Sequence, residues 1–396
     1  MNREDFMKMK KIAAIIVGSI LFLSVAVFIM LKFMNPTIGK ETNEKEYEGQ
    51  QFLKEQKLGF YISNEAKSLE EDKTKGYVLF LDKNNDITEH EIQPVEYGGI
   101  TFANNRLMIE ESNQMTLTEY ITKKTTFEKP DYRGMHNGYL PKTEQYYSLC
   151  NSGLSEKHDY KMTVRYAGED GQFKKFIIPK FVSTAGEEGD QVIVLTQDLI
   201  SGAFQLQQTP LEEKAKLQKI TDLNLKSPMD LDAIAPILVT KKAYYLVMSR
   251  YVSESYEDII VYEVNRKTKD VKATVLAKYR SEKETTSSLP LSFNDSATTY
   301  KGGLYYLNGM GQVYRYDLQT KQIEKVLKLK DQAKDANHMQ AVFYEGKLHI
   351  VYVKNGNTYY DQYHLKKKKR VQHQEIKNIE RYLKNGTMIS DLTIIK

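Results

Sequence analysis

The chain has 396 residues and a net charge of +5, from 57 Lys and Arg against 52 Asp and Glu. Residues 1–32 contribute +3 of this net charge, so the rest of the chain is nearly neutral, which argues against a strongly basic nucleic-acid-binding domain. The single cysteine, Cys150, excludes an intramolecular disulfide, so stability has to come from a large core. We expect one large domain or two smaller ones.

The first predicted element is a membrane anchor. Ile12 to Leu31 is a run of twenty residues without a charge, enough for a helix that crosses a bilayer. Lys8, Lys10 and Lys11 lie on its N-terminal side, so the positive-inside rule predicts a single-pass protein of the cell membrane. Residues 1–11 form a cytoplasmic tail, residues 12–34 span the membrane, and the C-terminal part is extracytoplasmic. The predicted membrane-spanning residues include Ile12, Ile16, Ile20, Leu23, Phe28 and Leu31.

The alternative for this segment is a cleaved signal peptide. Its apolar region is then Ile12 to Leu23, and Ser24, Val25 and Ala26 form a cleavage site of small residues. Val27 to Leu31 continue the apolar run beyond that site, and a polar segment before it is missing. These two features favour the anchor.

Residues 35–56 are predicted to be a stalk or linker, because they begin with Asn35 and Pro36 and continue as Glu- and Lys-rich sequence. Beyond them, short apolar or alternating runs are separated by turn residues every 8–12 positions, which is typical of strands and hairpins. Asp82 to Asp86 is one such turn, since the Gly and Glu of a calcium-binding loop are missing. The best amphipathic helix pattern, Leu211 to Leu217, equally fits an exposed strand.

A weak internal repeat runs through the C-terminal half. Tyr262, Tyr316 and Tyr363 occupy equivalent strands, each preceded by one strand and followed by a polar turn and another strand. A repeat of about 45–55 residues with three or four strands is the period of a propeller blade. Residues 57–396 are therefore predicted to form an all-β propeller of about seven blades (six to eight). The alternative is an irregular pair of β-sandwiches.

The predicted blades begin near seven positions, and the final strand-like segment closes the ring. The blades start near residues 57, 96, 146, 190, 236, 298 and 339. Thr387 to Ile395 alternates apolar residues, so it completes a blade begun by the N-terminal strands and removes the exposed sheet edges.

One unit carries a family resemblance. Gly302 to Gly309, followed by Tyr316 to Thr320, resembles a kelch-type or quinoprotein-type blade, which has a Gly-rich strand and then a Tyr-Asp-x-x-Thr turn. The resemblance covers this unit well and two other units loosely. The Trp that these families place in each blade is absent throughout. The resemblance implies a propeller and no particular activity.

Sequence motifs for catalysis, metals or cofactors are missing, so we predict no enzyme, no metal and no cofactor. The seven His lack metal-binding spacing, and both His349 and His364 lie in strand-like runs. Cys150 lacks a nucleophile signature and is predicted to be inert. The densest charge run is Lys366, Lys367, Lys368, Lys369 and Arg370, which predicts either a solvated turn or a contact with phospholipid heads or anionic wall polymers.

These observations predict a membrane-anchored, extracytoplasmic binding or scaffolding module of the bacterial cell envelope. Its partner is expected to be an envelope protein or a cell-wall polymer, bound through loops such as 281–294 and 330–339. One alternative is an envelope enzyme whose groups converge from several blades in the central channel. Another is a sensor or regulator that acts through a membrane partner.

Overall fold

The protein is described by a computed structural model that covers residues 40–44, 49–64, 75–118, 122–131, 133–154, 160–168, 170–253, 256–280, 295–331, 338–383 and 386–395. The predicted tail (1–11) and the predicted membrane span (12–34) lie outside the described residues, as does loop 281–294. Within the described ranges, no helix is both long and apolar enough to cross a bilayer.

The described strands form seven antiparallel sheets arranged as the blades of a propeller. Strand β1 (Lys40–Glu44) and helix α1 (Gly49–Glu55) come first. Blade 1 then contains β2 (Gln56–Asn64), β3 (Gly76–Asp82) and β4 (Ile87–Ile92). Blade 2 contains β5 (Ile100–Ala103), β6 (Arg106–Glu110), β7 (Gln114–Thr118) and β8 (Thr122–Thr126). Blade 3 contains β9 (Gly134–Leu140), β10 (Gln145–Leu154), β11 (Tyr160–Ala167) and β12 (Phe173–Ile178).

The remaining blades follow the same pattern. Blade 4 contains β13 (Phe181–Glu188), β14 (Gln191–Gln197), β15 (Phe204–Pro210) and β16 (Gln218–Leu223). Blade 5 contains β17 (Leu231–Ala233), β18 (Leu238–Val239), β19 (Ala243–Ser253), β20 (Tyr256–Asn265) and β21 (Val271–Tyr279). Blade 6 contains β22 (Ala297–Tyr300), β23 (Gly303–Leu307), β24 (Gln312–Asp317) and β25 (Ile323–Lys328). Blade 7 contains β26 (Met339–Tyr344), β27 (Lys347–Lys354), β28 (Asn357–His364) and β29 (Lys369–Ile376). Two short 3₁₀ helices, Pro228–Asp230 and Glu380–Tyr382, lie in connections.

The ring closes as the sequence predicts. The last strand, β30 (Thr387–Ile394), pairs antiparallel with β2 and becomes the innermost strand of blade 1, so the two ends of the propeller meet in one sheet. Leu392 and Phe60 pair across this junction and pack with Val351 and Tyr360 of blade 7. The all-β propeller of seven blades is confirmed, and the sandwich alternative is wrong.

Two elements lie inside the range 35–56, for which the sequence predicts a linker. β1 pairs along the outer edge of blade 2, with Lys40 opposite Thr126 and Glu44 opposite Thr122. Leu53 of α1 is buried in the cluster between blades 1 and 2. β1 has no apolar pattern because an outer-edge strand can be held by main-chain hydrogen bonds alone. Leu211 to Leu217 is neither helix nor strand; it forms the connection between β15 and β16.

The two ends of the propeller differ in their connections. At one end, which we call the turn face, lie the turns that connect the first strand of a blade to the second and the third strand to the fourth. The opposite end, with the second-to-third hairpins and the connections between blades, is the loop face. Ion pairs between neighbouring blades connect residues in or next to the turns of the turn face: Lys142 with Asp190, Arg266 with Glu188, Lys321 with Glu263, and Lys368 with Glu324. These turns therefore lie at one end of the ring.

Candidate anion-binding site

The predicted basic run lies in the turn between β28 and β29 of blade 7, on the turn face. Lys366, Lys367, Lys368 and Lys369 are exposed there, but their partners differ. Lys368 forms an ion pair with Glu324 of blade 6, and both side chains are about half exposed. Such surface pairs contribute about 0–1 kcal/mol, so Lys368 can exchange partners easily.

Arg370 has a different role from the lysines. Its Nη1 is 3.0 Å from Asp361 Oδ2 and 3.1 Å from Asp331 Oδ2. Asp361 is buried and also contacts His373 Nδ1 at 2.6 Å. Arg370 therefore ties β29 to β28 and to the segment after blade 6, and its charge is already matched by two carboxylates. It is a packing residue more than a surface contact.

Two further lysines, which lie far away in the sequence, join Lys366 and Lys367. Burial lowers the pKa of His364 below its ordinary value of 6.5, and the charges of Lys367, Lys347, Lys301 and Lys366 lower it further. These four side chains are therefore close enough to act on one imidazole at the end of β28. We call Lys301, Lys347, Lys366 and Lys367 the lysine cluster.

Register and turn geometry explain how the lysine cluster forms. Lys347 is directly opposite His364 in the β27–β28 pair, and its Nζ donates to Gln362 Oε1 at 3.2 Å. Lys301 lies in the β22–β23 turn of blade 6, with its Nζ 5.2 Å from the centroid of the Tyr300 ring. Tyr300 lies against Gly346, in the β26–β27 turn, where any Cβ would be 2.3 Å from the Tyr300 ring. Only glycine allows this close approach of blades 6 and 7.

A cavity of about 240 Å³ adjoins the lysine cluster at the junction of blades 7 and 1. Lys347 belongs to both, and the lining also includes Lys57, Tyr344, His349 and Tyr360. Burial lowers the pKa of His349 to about 4, so its ring is neutral near pH 7. His349 Nδ1 is 2.6 Å from the Tyr360 hydroxyl, whereas Nε2 has no hydrogen-bond partner among the described residues. The cavity adds a polar recess beside the positive charge.

A second polar group forms where the inner strands of blades 1 to 4 meet. Asp391 on β30 accepts the Ile100 amide of β5 at 2.8 Å, and burial raises its pKa to about 7. On the next blades, His136 Nε2 is 3.1 Å from Glu187 Oε1, which also accepts the Tyr147 hydroxyl at 2.6 Å. Burial raises the pKa of Glu187, but these two hydrogen bonds outweigh burial, so the net shift is downward. Two carboxylates and a His from three blades therefore lie along the inner strands.

These inner groups have structural partners. Asp391 accepts hydrogen bonds from two backbone amides, those of Ile100 and Leu392. Glu187 accepts hydrogen bonds from the side chains of His136 and Tyr147. Within the described ranges, no group of three or more His, Cys, Asp and Glu side chains is placed to hold a metal ion. Cys150 is buried 3.0 Å from Glu110 Oε1, and burial raises the pKa of its thiol, as expected for an inert thiol.

Comparison with known proteins identifies the fold family. A family model described as "YycP, beta-propeller domain" matches residues 51–395. The chain belongs to this family. The matched range begins in α1 and ends just after β30, so it includes all seven blades.

The chain is also similar to individual proteins. It is 23% identical over 389 residues to "Uncharacterized protein YycP" of Bacillus subtilis (strain 168), which covers 96% of this chain and 98% of the relative. Among solved structures, a protein from Lactobacillus plantarum has a TM-score of 0.47 at 12% identity, covering 81% of this chain and 96% of that one. The computationally designed Ika8 protein has a TM-score of 0.45 at 9% identity, covering 86% and 88%.

Lys301 and Lys347 were missed by sequence reasoning. Each lies in or next to a turn that contains Gly302 or Gly346, at equivalent places in successive blades. The pairing of β27 with β28 and the contact of Tyr300 with Gly346 bring both residues to the 366–370 turn. Charge density along the chain cannot reveal this, because neither lysine has a basic residue next to it.

Proposed function

We propose that this protein is a membrane-anchored, extracytoplasmic binding module of the bacterial cell envelope, and that its lysine cluster binds an anionic wall polymer. The observation that carries the proposal is the convergence of four lysines from separate turns of blades 6 and 7 at the end of β28, where Lys347 is opposite His364 and the lysines of the β28–β29 turn follow. Like charges that are held together at the end of a rigid scaffold attract a polyanion. A solvated turn does not need lysines from two neighbouring blades.

The anchor and its direction are supported by the uncharged run Ile12 to Leu31 and its N-terminal lysines. Protease treatment of intact cells tests this part. We expect the propeller to be degraded or released from intact cells, while a tag on the N-terminus stays protected until the cells are opened. A propeller that is protected in intact cells would contradict the proposed location.

Binding of a phosphate-rich polymer tests the lysine cluster. With the full-length chain in lipid nanodiscs and soluble polyphosphate as the probe, we expect Lys366→Gln with Lys367→Gln to weaken binding roughly 10-fold or more, at about 1 kcal/mol for each Lys near an anionic surface. The matched control is Lys214→Gln with Lys216→Gln, two exposed lysines on the turn face of blade 4, away from the lysine cluster. Wild-type affinity should fall steeply with salt.

His364 supplies an independent readout of the same experiment. A bound polyanion offsets the lysine charges, so it should raise the pKa of His364 back towards 6.5 in an NMR titration. By linkage, binding of the polyanion should then tighten as the pH is lowered. Equal loss of affinity in both double variants, or an unchanged His364 titration with polymer present, would contradict the proposal.

The enzyme alternative is favoured by one observation, the convergence of Asp391, His136 and Glu187 near the inner strands. A carboxyl with a pKa of about 7 suits general acid–base catalysis. The backbone amides that Asp391 accepts favour a structural role. Binding of a small substrate-like ligand beside Asp391, detected as a shift in the pKa of this carboxyl, would favour the enzyme.

A further inference from the structure

Exposed apolar side chains are concentrated on the loop face of three consecutive blades. Ile200 is 94% exposed, Met229 63% and Leu154 58%. Leu199, Tyr251 and Val252 are also about half exposed. Exposed apolar side chains on a soluble protein are usually scattered among polar ones, whereas a group of large apolar side chains on one side indicates a docking surface.

Their positions in the topology place them on the same side. Leu154 ends β10, Leu199 and Ile200 form the β14–β15 turn, and Tyr251 and Val252 lie near the end of β19. All three hairpins connect the second strand of a blade to the third, so they belong to the loop face of blades 3, 4 and 5. Met229 precedes blade 5 and lies beside the β14–β15 turn, since a Cβ on Gly202 would be 2.7 Å from its sulfur.

The first described strand, β1, begins on the same face. β8 runs from Thr122, near the turn face, where Lys123 donates to the Asp170 carbonyl, to Thr126. The next amide, Phe127, donates to Asn113 O of the β6–β7 connection, which is on the loop face. Because Lys40 is opposite Thr126, strand β1 begins at the loop face.

The sequence between the predicted membrane span and Lys40 is short. Residues 35–39 separate that span from Lys40, and six fully extended steps from residue 34 reach at most about 22 Å. A surface held this close to a bilayer meets it at high effective concentration, so a few apolar side chains are sufficient for contact. A linker of 22 residues, as the sequence alone predicts, imposes no such limit.

We propose that the loop face of blades 3 to 5 lies on the outer surface of the bilayer, with Ile200 and its apolar neighbours in the interfacial region. This rests on the proposed membrane anchor. Apolar side chains favour the boundary between headgroups and acyl chains over water, and contact also removes Ile200 from solvent. The lysine cluster, at the opposite end, is then directed away from the membrane towards the wall.

The experiment compares two labelled positions in the full-length chain in proteoliposomes. Cys150 is buried, and its raised thiol pKa makes it react poorly with labels. A second cysteine can therefore be introduced elsewhere while Cys150 is kept. Ile200→Cys is on the loop face, and Lys214→Cys is exposed on the turn face of the same blade. The two positions are about 20 Å apart along the seven-residue strand β15. A fluorophore at position 200 should be quenched at least 2-fold more by brominated lipids than one at position 214.

The outcomes separate this inference from the anchor. If the chain floats with the liposomes but both labels are quenched equally or weakly, the anchor holds and the bilayer contact is wrong. If the chain does not float with the liposomes, the anchor itself is wrong, and this inference fails with it. If a photo-crosslinker at position 200 forms adducts with a protein in cells while lipid quenching is absent, the loop face docks a protein, which also overturns the bilayer contact.

Discussion

At the scale of single residues, the most unusual feature is a fully buried arginine. Arg165 Nη2 is 2.7 Å from Asp131 Oδ2, and Nη1 donates to the Glu111 carbonyl at 2.6 Å. Arg165 also donates to the Ser112 carbonyl. The Arg165 side chain, on β11 of blade 3, therefore supplies hydrogen bonds to backbone carbonyl groups of blade 2. A buried charge of this kind is retained only when its partners are in place.

Arg165→Met tests this arrangement. The variant leaves Asp131 buried without its cation, so we expect a loss of about 3–5 kcal/mol in the free energy of unfolding, measured with denaturant. The control, Lys75→Met, breaks the exposed pair with Glu91 at 2.8 Å and should cost less than about 1 kcal/mol. Equal effects of the two changes would show that Arg165 is not the link between blades 2 and 3.

Asp391 gives the protein a specific pH dependence. Burial, followed by the charge of Glu110, raises its pKa from 3.8 to about 7, so the folded chain keeps a proton that the unfolded chain releases. This contribution to stability is present below 3.8 and is lost as the pH rises to about 7. The stability of the wild type relative to Asp391→Asn should therefore fall between about pH 5 and pH 7 by up to ~1.4 kcal/mol per pH unit.

The control for this titration is Asp317→Asn. The backbone amides of Thr320 and Gln319, with Arg315, hold the pKa of Asp317 well below its usual range. Its contribution is present above 3.8 and lost only in acid, so its difference from the wild type should stay flat over the same interval. A flat difference for Asp391→Asn as well would refute the assignment.

At the scale of secondary-structure elements, the sequence reveals strands with apolar alternation and misses strands that pair through the main chain. Blade starts near 57, 298 and 339 agree with β2, β22 and β26 to within one residue. The starts near 146 and 190 are late, because the innermost strands β9 and β13 are rich in Gly, His, Asn, Ser and Thr. Inner strands pack against neighbouring inner strands around the axis, where small and polar residues fit.

The lysine cluster shows the same limit for the candidate site. Lys366 and Lys367 are found from charge density, but Lys301 and Lys347 reach them only through the pairing of β27 with β28 and the contact of Tyr300 with Gly346. The ion pairs of Arg370 depend on Asp361 and Asp331, nine and 39 residues away. None of these distances can be read from a single sequence.

The close approach of β13 to the chain at Ile237 predicts that adding a methyl group to Gly186 destabilises the fold. A Cβ on Gly186 of β13 would be 2.2 Å from the Ile237 carbonyl oxygen, and Ile237 donates its amide to Ala185 O at 2.8 Å. Gly186→Ala should therefore lower the free energy of unfolding by about 1–3 kcal/mol. Gly168→Ala, whose Cβ would meet nothing closer than 3.8 Å, should leave the denaturation midpoint almost unchanged. A tolerated Gly186→Ala would mean that blades 4 and 5 can separate at this point.

At the scale of the whole molecule, the propeller is closed by main-chain pairing of its two ends. Neighbouring blades elsewhere are joined by the chain itself, whereas blade 1 depends on β30 pairing with β2. Opening at this junction can release the C-terminal segment without unfolding blades 3 to 6. Partial openings of this kind appear in native-state hydrogen exchange as a region of lower protection.

Leu392→Asp tests this closure against Leu206→Asp, an equally buried Leu between blades 4 and 5. Both changes place a charge in an apolar cluster, so both should lower global stability by several kcal/mol. In Leu392→Asp, amide exchange should accelerate first in β30 and in β2 to β4, because detaching β30 relieves the buried charge. In Leu206→Asp, local release is blocked by covalent connections on both sides, so exchange should accelerate across all blades together. The same exchange pattern in both variants would show that the ring opens at no preferred place.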